Sequence, residues 1–199
     1  IWSFGQDYYV VHSETPFIAA MRIRGTFMFL LFTLVHSGHS YTKQYEDISK
    51  FYSTSAKIVT LYTTMGEGEC KTDKVTHANQ YSADFQRKFH NRAKKQPLNL
   101  VGKFINDRYV WNSVKLDAMD VRKKNGGEHY SYERLFNVFD SYTCGIFFVS
   151  KEKHRGGSNY ELRVKKGTKP NGKCYDKFMW HTKSAGVASK ITKCRSREG

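Results

Sequence analysis

Acidic, basic and aromatic side chains alternate with aliphatic ones in several stretches of this 199-residue chain. The residues with side chains suited to contacting a bound molecule are Tyr62, Trp111, Tyr132, Phe136, Asp140, Glu161 and Arg163. In a small β-barrel, side chains point alternately into the lumen and outward. This set therefore suits a lumen that is aromatic and partly polar, and it predicts non-covalent binding rather than chemistry.

Sequence patterns of catalysis and metal binding are absent. The histidines of the later chain, which show no HxxxH or HExxH spacing, are His77, His90, His129, His154 and His181. The sequence also has no GxSxG element and no phosphate-binding glycine loop. We therefore expect no enzyme, no cofactor and no metal site.

Most of the chain after residue 55 has the alternating or β-branched composition of strands. The predicted strands are 56–64, 71–81, 98–105, 108–118, 129–140, 142–150 and 160–165. Turn residues separate them, and most of the intervals have no helical pattern. About seven or eight strands at this spacing predict an all-β antiparallel barrel or sandwich.

Two short helices are expected at the ends of this region. Tyr45, Ile48, Phe51 and Tyr52 recur near helical spacing before the first strand. A second apolar helix face, after Gly172, is formed by Tyr175, Phe178, Met179 and Thr182. This second helix is expected to pack outside the sheet.

Residues 21–40 have the pattern of a signal peptide. Arg22 and Arg24 precede a nine-residue run, Phe27 to Val35, and small residues follow before Tyr41, with a cut after Ser37 as the alternative. The run is shorter than the roughly 20 apolar residues that cross a bilayer. We expect residues 1–20 to be upstream sequence outside the native protein, and residues 41–199 to form one secreted, monomeric domain with no membrane span.

Four cysteines lie in the predicted mature chain: Cys70, Cys144, Cys174 and Cys194. An even number of cysteines in a secreted chain favours two disulfides over metal ligation. Three pairings are compatible with four cysteines. No Asn-x-Ser/Thr sequon is present, so N-glycosylation is not expected.

The chain is strongly basic, with 33 Lys and Arg against 18 Asp and Glu and a formal charge of +15. Basic clusters occur at 87–88, 92–95, 122–124 and 165–166. A solvated surface is the favoured interpretation. The alternative is contact with a glycosaminoglycan, an anionic membrane or a host protein. Nucleic acid is not expected for an exported chain.

Several short motifs together resemble the tick salivary lipocalins of the histamine-binding family. They are DISKF at 47–51, FDSYTC ending at Cys144, YELRV at 160–164, and the pair Cys174 and Cys194 around a late helix. The chain departs from the family pattern at Ser49 and Arg163, where tryptophan is usual. The resemblance covers residues 41–199.

The resemblance implies an eight-stranded lipocalin (calycin) barrel that is secreted in saliva and sequesters a host mediator to evade host defence. It implies Cys70–Cys194 and Cys144–Cys174 bridges. Histamine or another biogenic amine is the first ligand, and a lipid mediator is the second. A buried ammonium needs an anion or an aromatic face in place of water. The residues predicted to supply these are Glu161, Asp140, Asp47, Tyr62, Trp111 and Phe136.

Each of these residues also has a structural interpretation. Asp47 is a candidate helix cap. Asp140 and Glu161 are candidates for exposed charges, and Glu161 for an ion pair with Arg163. Tyr62 and Trp111 are candidates for core residues. If Arg163 faces the lumen, it repels an amine and favours an anionic or fatty ligand.

Overall fold

In the computed structural model, residues 46–91, 96–107, 115–152 and 159–195 are described. The upstream segment 1–20 and the signal peptide 21–40 lie outside these residues, as do the cluster at 92–95, Trp111 and most of the predicted strand 108–118.

Eight strands form a closed antiparallel barrel in which each strand pairs with its sequence neighbours. The strands are β1 (Lys57–Thr63), β2 (Lys71–Ala78), β3 (Ser82–Phe89), β4 (Leu98–Ile105), β5 (Ala118–Lys123), β6 (His129–Phe139), β7 (Cys144–Ser150) and β8 (Tyr160–Lys165). The barrel closes because β1 pairs with β8 on one edge and with β2 on the other. A two-residue strand, β9 (Thr192–Lys193), pairs with the end of β1.

The predicted architecture, an all-β eight-stranded antiparallel barrel with a short first helix and a second helix outside, is confirmed. Two of the observed strands, β3 and β5, were not predicted from the sequence. Both contain charged residues, which hide their apolar alternation. The interpretation of Arg87 as a solvated surface residue is wrong, because its side chain is 1% exposed and points into the barrel.

The first helix, α1 (Ile48–Phe51), packs into one end of the barrel. The Asp47 carboxylate accepts a hydrogen bond from the Ser49 backbone N–H at 3.1 Å, which caps the helix. Ile48 and Phe51 are buried in the main core, and the Ile48 N–H donates to the Leu116 carbonyl at 2.8 Å. This end of the barrel is therefore filled by apolar side chains.

The second helix, α2 (Gly172–Ser184), packs on the outside of β7 and β8. Asn171 caps its first turn by accepting from the Cys174 N–H at 2.8 Å. Phe178 is buried in an outer apolar cluster with Ile146 and Leu162. The Cys144–Cys174 disulfide fixes the start of the helix to β7.

The second disulfide joins Cys70, just before β2, to Cys194, just after β9. Both bridges have the pairing that the resemblance implied. The Cys194 N–H also donates to the Leu61 carbonyl at 2.8 Å, so the last described segment is held against β1. Two disulfides are typical of extracellular proteins.

A buried ionic cluster as the candidate ligand site

Six charged side chains on four strands point into the barrel. They are Lys71 and Asp73 on β2, Arg87 on β3, Glu133 on β6, and Glu161 and Arg163 on β8. Each is at most 2% exposed. We call these residues, together with Tyr52, the ionic cluster. Buried charges require partners, because moving an ion out of water into a protein interior costs several kcal/mol after the protein relaxes, and on the order of 20 kcal/mol without relaxation.

Five members of the ionic cluster form a closed ring of hydrogen bonds. Arg163 Nη1 donates to the Tyr52 hydroxyl at 2.7 Å, and that hydroxyl donates to Asp73 Oδ2 at 2.9 Å. Arg87 binds Asp73 through Nε at 2.8 Å and Nη2 at 2.7 Å, and donates from Nη1 to Glu133 Oε1 at 2.7 Å. Arg163 also contacts Glu133 Oε2, which completes the ring.

Glu161 and Lys71 extend this ring as a chain. Arg163 Nε donates to Glu161 Oε2 at 2.7 Å, and Nη2 of the same guanidinium lies 2.6 Å from that oxygen. The Lys71 ammonium donates to the other carboxylate oxygen, Oε1. Glu161 is thus an interior carboxylate with a guanidinium on one oxygen and a primary ammonium on the other.

The electrostatics of the ionic cluster are balanced, with three carboxylates against three cations. Burial by itself raises the pKa of Glu133, but the nearby Arg163 and Arg87 outweigh it and hold that pKa well below its ordinary value. Burial also opposes ionisation of Glu161, whose pKa is nonetheless lowered by Arg163 and Lys71. Burial lowers the pKa of Lys71, and Glu161 only partly offsets this effect.

The Lys71–Glu161 pair lies towards the end of the barrel opposite α1. Lys71 is the first residue of β2, and Glu161 is the second residue of β8. Their cross-strand neighbours are Phe89 and Thr63, which are also buried. The ring of hydrogen bonds that includes Tyr52 lies closer to α1, because Tyr52 directly follows this helix. Along the barrel axis, Lys71 and Glu161 therefore lie on the side of the ring that faces away from α1.

Of the predicted ligand residues, the structure brings Glu161 and Arg163 together inside the barrel. Asp140 is exposed at the turn after β6 and accepts a hydrogen bond from the Asn171 amide at 2.7 Å. Asp47 caps α1. The structure does not place Asp140 or Asp47 beside Glu161. Asp47 instead has the helix-cap contact, and Asp140 the exposed position, that the structural interpretation of each residue predicts.

The two predicted aromatic ligand residues that the structure describes, Tyr62 and Phe136, lie on the outer side of the sheet. A register shift between Thr60 and Tyr62 moves Tyr62 outward. There the centroid of its ring lies 5.2 Å from the ring centroid of Tyr175 and 6.0 Å from that of Phe178. Phe136 packs with Phe148 and Tyr160 in another outer cluster. A one-residue shift reverses the face of every following side chain, and sequence spacing does not reveal it.

The sequence interpretation missed Tyr52, Lys71, Asp73, Arg87 and Glu133 as members of the candidate site. One usable signal was the alternation in β3, where Phe85, Arg87 and Phe89 share a face. An arginine on an otherwise apolar face is either exposed or paired with an interior acid. Whether such an arginine is exposed or paired depends on strands that are distant in sequence.

Depressions with defined walls also occur on the exterior of the described part. A groove of about 320 Å³ on β2, β3 and β4 is lined by Thr76, Asp84, Phe85, Gln86, Asn99, Leu100 and Lys124. A smaller one of about 110 Å³ lies beside the Cys70 disulfide and is lined by Glu67, Asn91, Lys193 and Arg195. Within the residues described, no group of three metal-ligating side chains is assembled, and no helix has the length and apolar character of a membrane span.

No protein-family model matches the chain, and no curated protein sequence matches it. Among solved structures, it is similar to the bovine lipocalin allergen Bos d 2, with 11% identity, a TM-score of 0.47, and coverage of 71% of this chain and 93% of that one. It is also similar to apocrustacyanin C1, with 9% identity, a TM-score of 0.47, and coverage of 75% and 80%, respectively. The tick salivary family remains a prediction from the sequence resemblance.

Proposed function

We propose that this protein is a secreted lipocalin that sequesters a small host mediator, with histamine or another biogenic amine as the first ligand. The observation that carries the proposal is the primary ammonium of Lys71 on Glu161 Oε1 inside the barrel. Histamine and serotonin carry the same donor group. The motif resemblance supports a role in tick saliva, where removal of the mediator would blunt host inflammation.

An incoming amine would use Glu161 as its counter-ion. Arg163 already neutralises one oxygen of this carboxylate, so the other oxygen is the one that an amine would contact. The polar wall near this oxygen includes the buried Thr63, and Phe89 lies across from Lys71. An anion and an aromatic ring together are suited to a desolvated ammonium.

The inward position of Arg163 does not by itself create an anion site. Its Nε, Nη1 and Nη2 atoms contact Glu161, Tyr52 and Glu133. A fatty or leukotriene-type acid would have to compete with these carboxylates. The lipid mediator therefore remains the second ligand class.

Titration calorimetry of the purified secreted protein with histamine, serotonin and a leukotriene tests this proposal. We expect saturable binding of an amine, and a loss of at least tenfold in affinity in Glu161→Gln. Binding of the leukotriene alone would contradict the amine proposal. Silence with all three ligands would contradict a mediator-binding function.

A second candidate function, binding of a sulfated polysaccharide, is supported by a row of lysines on the outer surface. Lys57 and Lys74 are direct cross-strand partners and both are exposed. The Lys166 N–H donates to the Lys57 carbonyl at 2.6 Å, which places a third exposed lysine beside them. Three exposed lysines side by side form a positively charged patch that suits a sulfated sugar chain.

Heparin affinity measured against salt concentration tests the second function. Neutralising this row in Lys57→Gln/Lys74→Gln/Lys166→Gln should weaken heparin binding and its salt dependence. The comparison variant is Lys123→Gln/Lys124→Gln, which removes exposed lysines elsewhere on the barrel that pair with Glu128 and Asp84 at 2.7 Å. Equal losses in the two variants would contradict a defined surface.

A further inference from the structure

The three cations of the ionic cluster are held in unequal ways. Each guanidinium binds two carboxylates, and Arg163 also binds Tyr52. Within the described part of the chain, the Lys71 ammonium has one partner, Glu161 Oε1. An ammonium has three donors, so its interaction with the cluster is the least extensive of the three.

Lys71 also occupies the last position in the chain of contacts. It is bonded only to Glu161 and takes no part in the ring around Tyr52. Its side chain can leave without breaking any Arg163 or Arg87 contact. Movement of either guanidinium would instead open the ring and leave two carboxylates with fewer partners.

Charge balance limits what can enter the barrel beside Glu161. With Lys71 in place, the three carboxylates and three cations cancel. An additional cation would leave a buried net positive charge, which is costly in a low-dielectric interior. A cation that replaces the Lys71 ammonium preserves both the neutrality and the contact to Oε1.

We propose that Lys71 is the internal occupant of a primary-ammonium subsite on Glu161, and that amine guests bind by exchanging with it. This inference rests on the proposed amine-binding function and adds its regulation. Wild-type protein binds an amine more weakly than an empty subsite would, because displacing Lys71 from Glu161 costs free energy. Removal of the Lys71 side chain would expose a subsite for small primary alkylammonium ions.

The chemical class of guest follows from the side chain that it replaces. In Lys71→Ala the missing heavy atoms are Cγ, Cδ, Cε and Nζ, which is the heavy-atom set of n-propylammonium. This ion can donate a hydrogen bond to Oε1 and fill the vacated space. Tetramethylammonium carries the same charge but has no N–H donor, and propionate has the opposite charge.

Calorimetry and thermal unfolding of the full protein with these three ions test the subsite. We expect Lys71→Ala to bind n-propylammonium at least tenfold more tightly than wild type and to gain thermal stability from it. Tetramethylammonium and propionate should give neither effect. The gain should disappear in Lys71→Ala/Glu161→Gln. The matched control is Lys151→Ala, which removes an exterior Lys–Glu pair to Glu69 at 3.0 Å and should bind as wild type does.

Should Lys71→Ala not fold alone, recovery of folding in n-propylammonium and not in tetramethylammonium supports the subsite. Failure of both ions overturns it.

Wild-type protein with ¹⁵N-labelled lysine supplies the second measurement. Saturating histamine should move the Lys71 Nζ resonance towards that of a solvated ammonium. Histamine binding with an unchanged Lys71 signal would overturn the exchange and leave the amine-binding function standing. Propylammonium rescue of Lys71→Ala without any histamine binding to wild type would support the subsite and contradict the proposed function.

Discussion

The Tyr52 hydroxyl accepts a hydrogen bond from Arg163 Nη1 at 2.7 Å, although 111 residues separate them in sequence. The same hydroxyl donates to Asp73 Oδ2 at 2.9 Å. This one group therefore connects the residue that follows α1 to strands β2 and β8. Its position gives α1 a polar attachment to the barrel in addition to its apolar packing.

Removal of this hydroxyl in Tyr52→Phe should destabilise the fold. Arg163 Nη1 and Asp73 Oδ2 would each lose a buried partner, with an expected cost of about 1–3 kcal/mol. Urea unfolding followed by tryptophan fluorescence measures the difference. Tyr81→Phe is the control, because Tyr81 is 64% exposed and should change stability little. Equal effects would contradict the role of the ring.

Substitution of Gly145 should be costly because this residue lies against α1. A Cβ at Gly145 would come within 2.7 Å of Phe51 Cε2, 3.0 Å of Phe147 Cε2 and 3.1 Å of Leu135 Cδ1. We expect Gly145→Ala to lower the free energy of unfolding by about 1–3 kcal/mol through overpacking.

Gly102→Ala is the comparison for that variant. Its Cβ would meet Met119 Sδ at 2.7 Å, but a methionine sulfur belongs to a flexible side chain that can move. A smaller loss of stability than in Gly145→Ala is expected in thermal or urea unfolding. The reverse order would show that α1 does not press on β7 as described.

Acid should destabilise the protein through the carboxylates of the ionic cluster. The pKa values of Glu133 and Glu161 are lowered from the ordinary 4.5. In the acid range the unfolded chain therefore binds more protons than the folded one, and stability falls as pH drops below about 4.5 and through the folded pKa values. Urea unfolding at several pH values below 6 measures this slope.

Glu133→Gln tests the origin of the acid sensitivity. It removes one titrating group and leaves Arg87 and Arg163 short of a counter-charge, so it should cost about 3–5 kcal/mol at neutral pH. Its stability should then depend less on pH below 4.5. An unchanged slope would show that Glu133 does not contribute to the acid sensitivity.

His181 on α2 should remain neutral well below its ordinary pKa. Burial, and secondarily the charge of Lys177, lower the pKa of His181 from 6.5 to about 4. Its ring stacks on Tyr160 at 5.9 Å, and Nε2 lies 2.8 Å from Asn137 Oδ1. Because the unfolded chain protonates first, His181 should reduce stability as pH falls from about 6.5 to 4.

NMR titration of the imidazole resonances measures this pKa directly. Lys177→Met should raise the pKa of His181 part of the way towards 6.5, because it removes the charge and leaves the burial. A His181 pKa near 6.5 in the wild-type protein would contradict the packing of α2 on the outer aromatic cluster.

The sequence by itself determined the strand-rich architecture, the two helices and the presence of two disulfides. Alternating β-branched runs, cap residues and an even cysteine count are local signals, and they predict elements without reference to the rest of the fold. The same reasoning could name Glu161 and Arg163 as partners, because they lie two residues apart on one strand.

The tertiary structure alone decided which charges meet inside the barrel. Lys71, Arg87, Glu133 and Arg163 come from four separate strands, and only strand pairing and barrel closure bring them within hydrogen-bonding distance. The register shift in β1 likewise turned Tyr62 outward. A strand sequence shows which residues share a face. Which face becomes the interior, and what lies across it, depends on contacts distant in sequence.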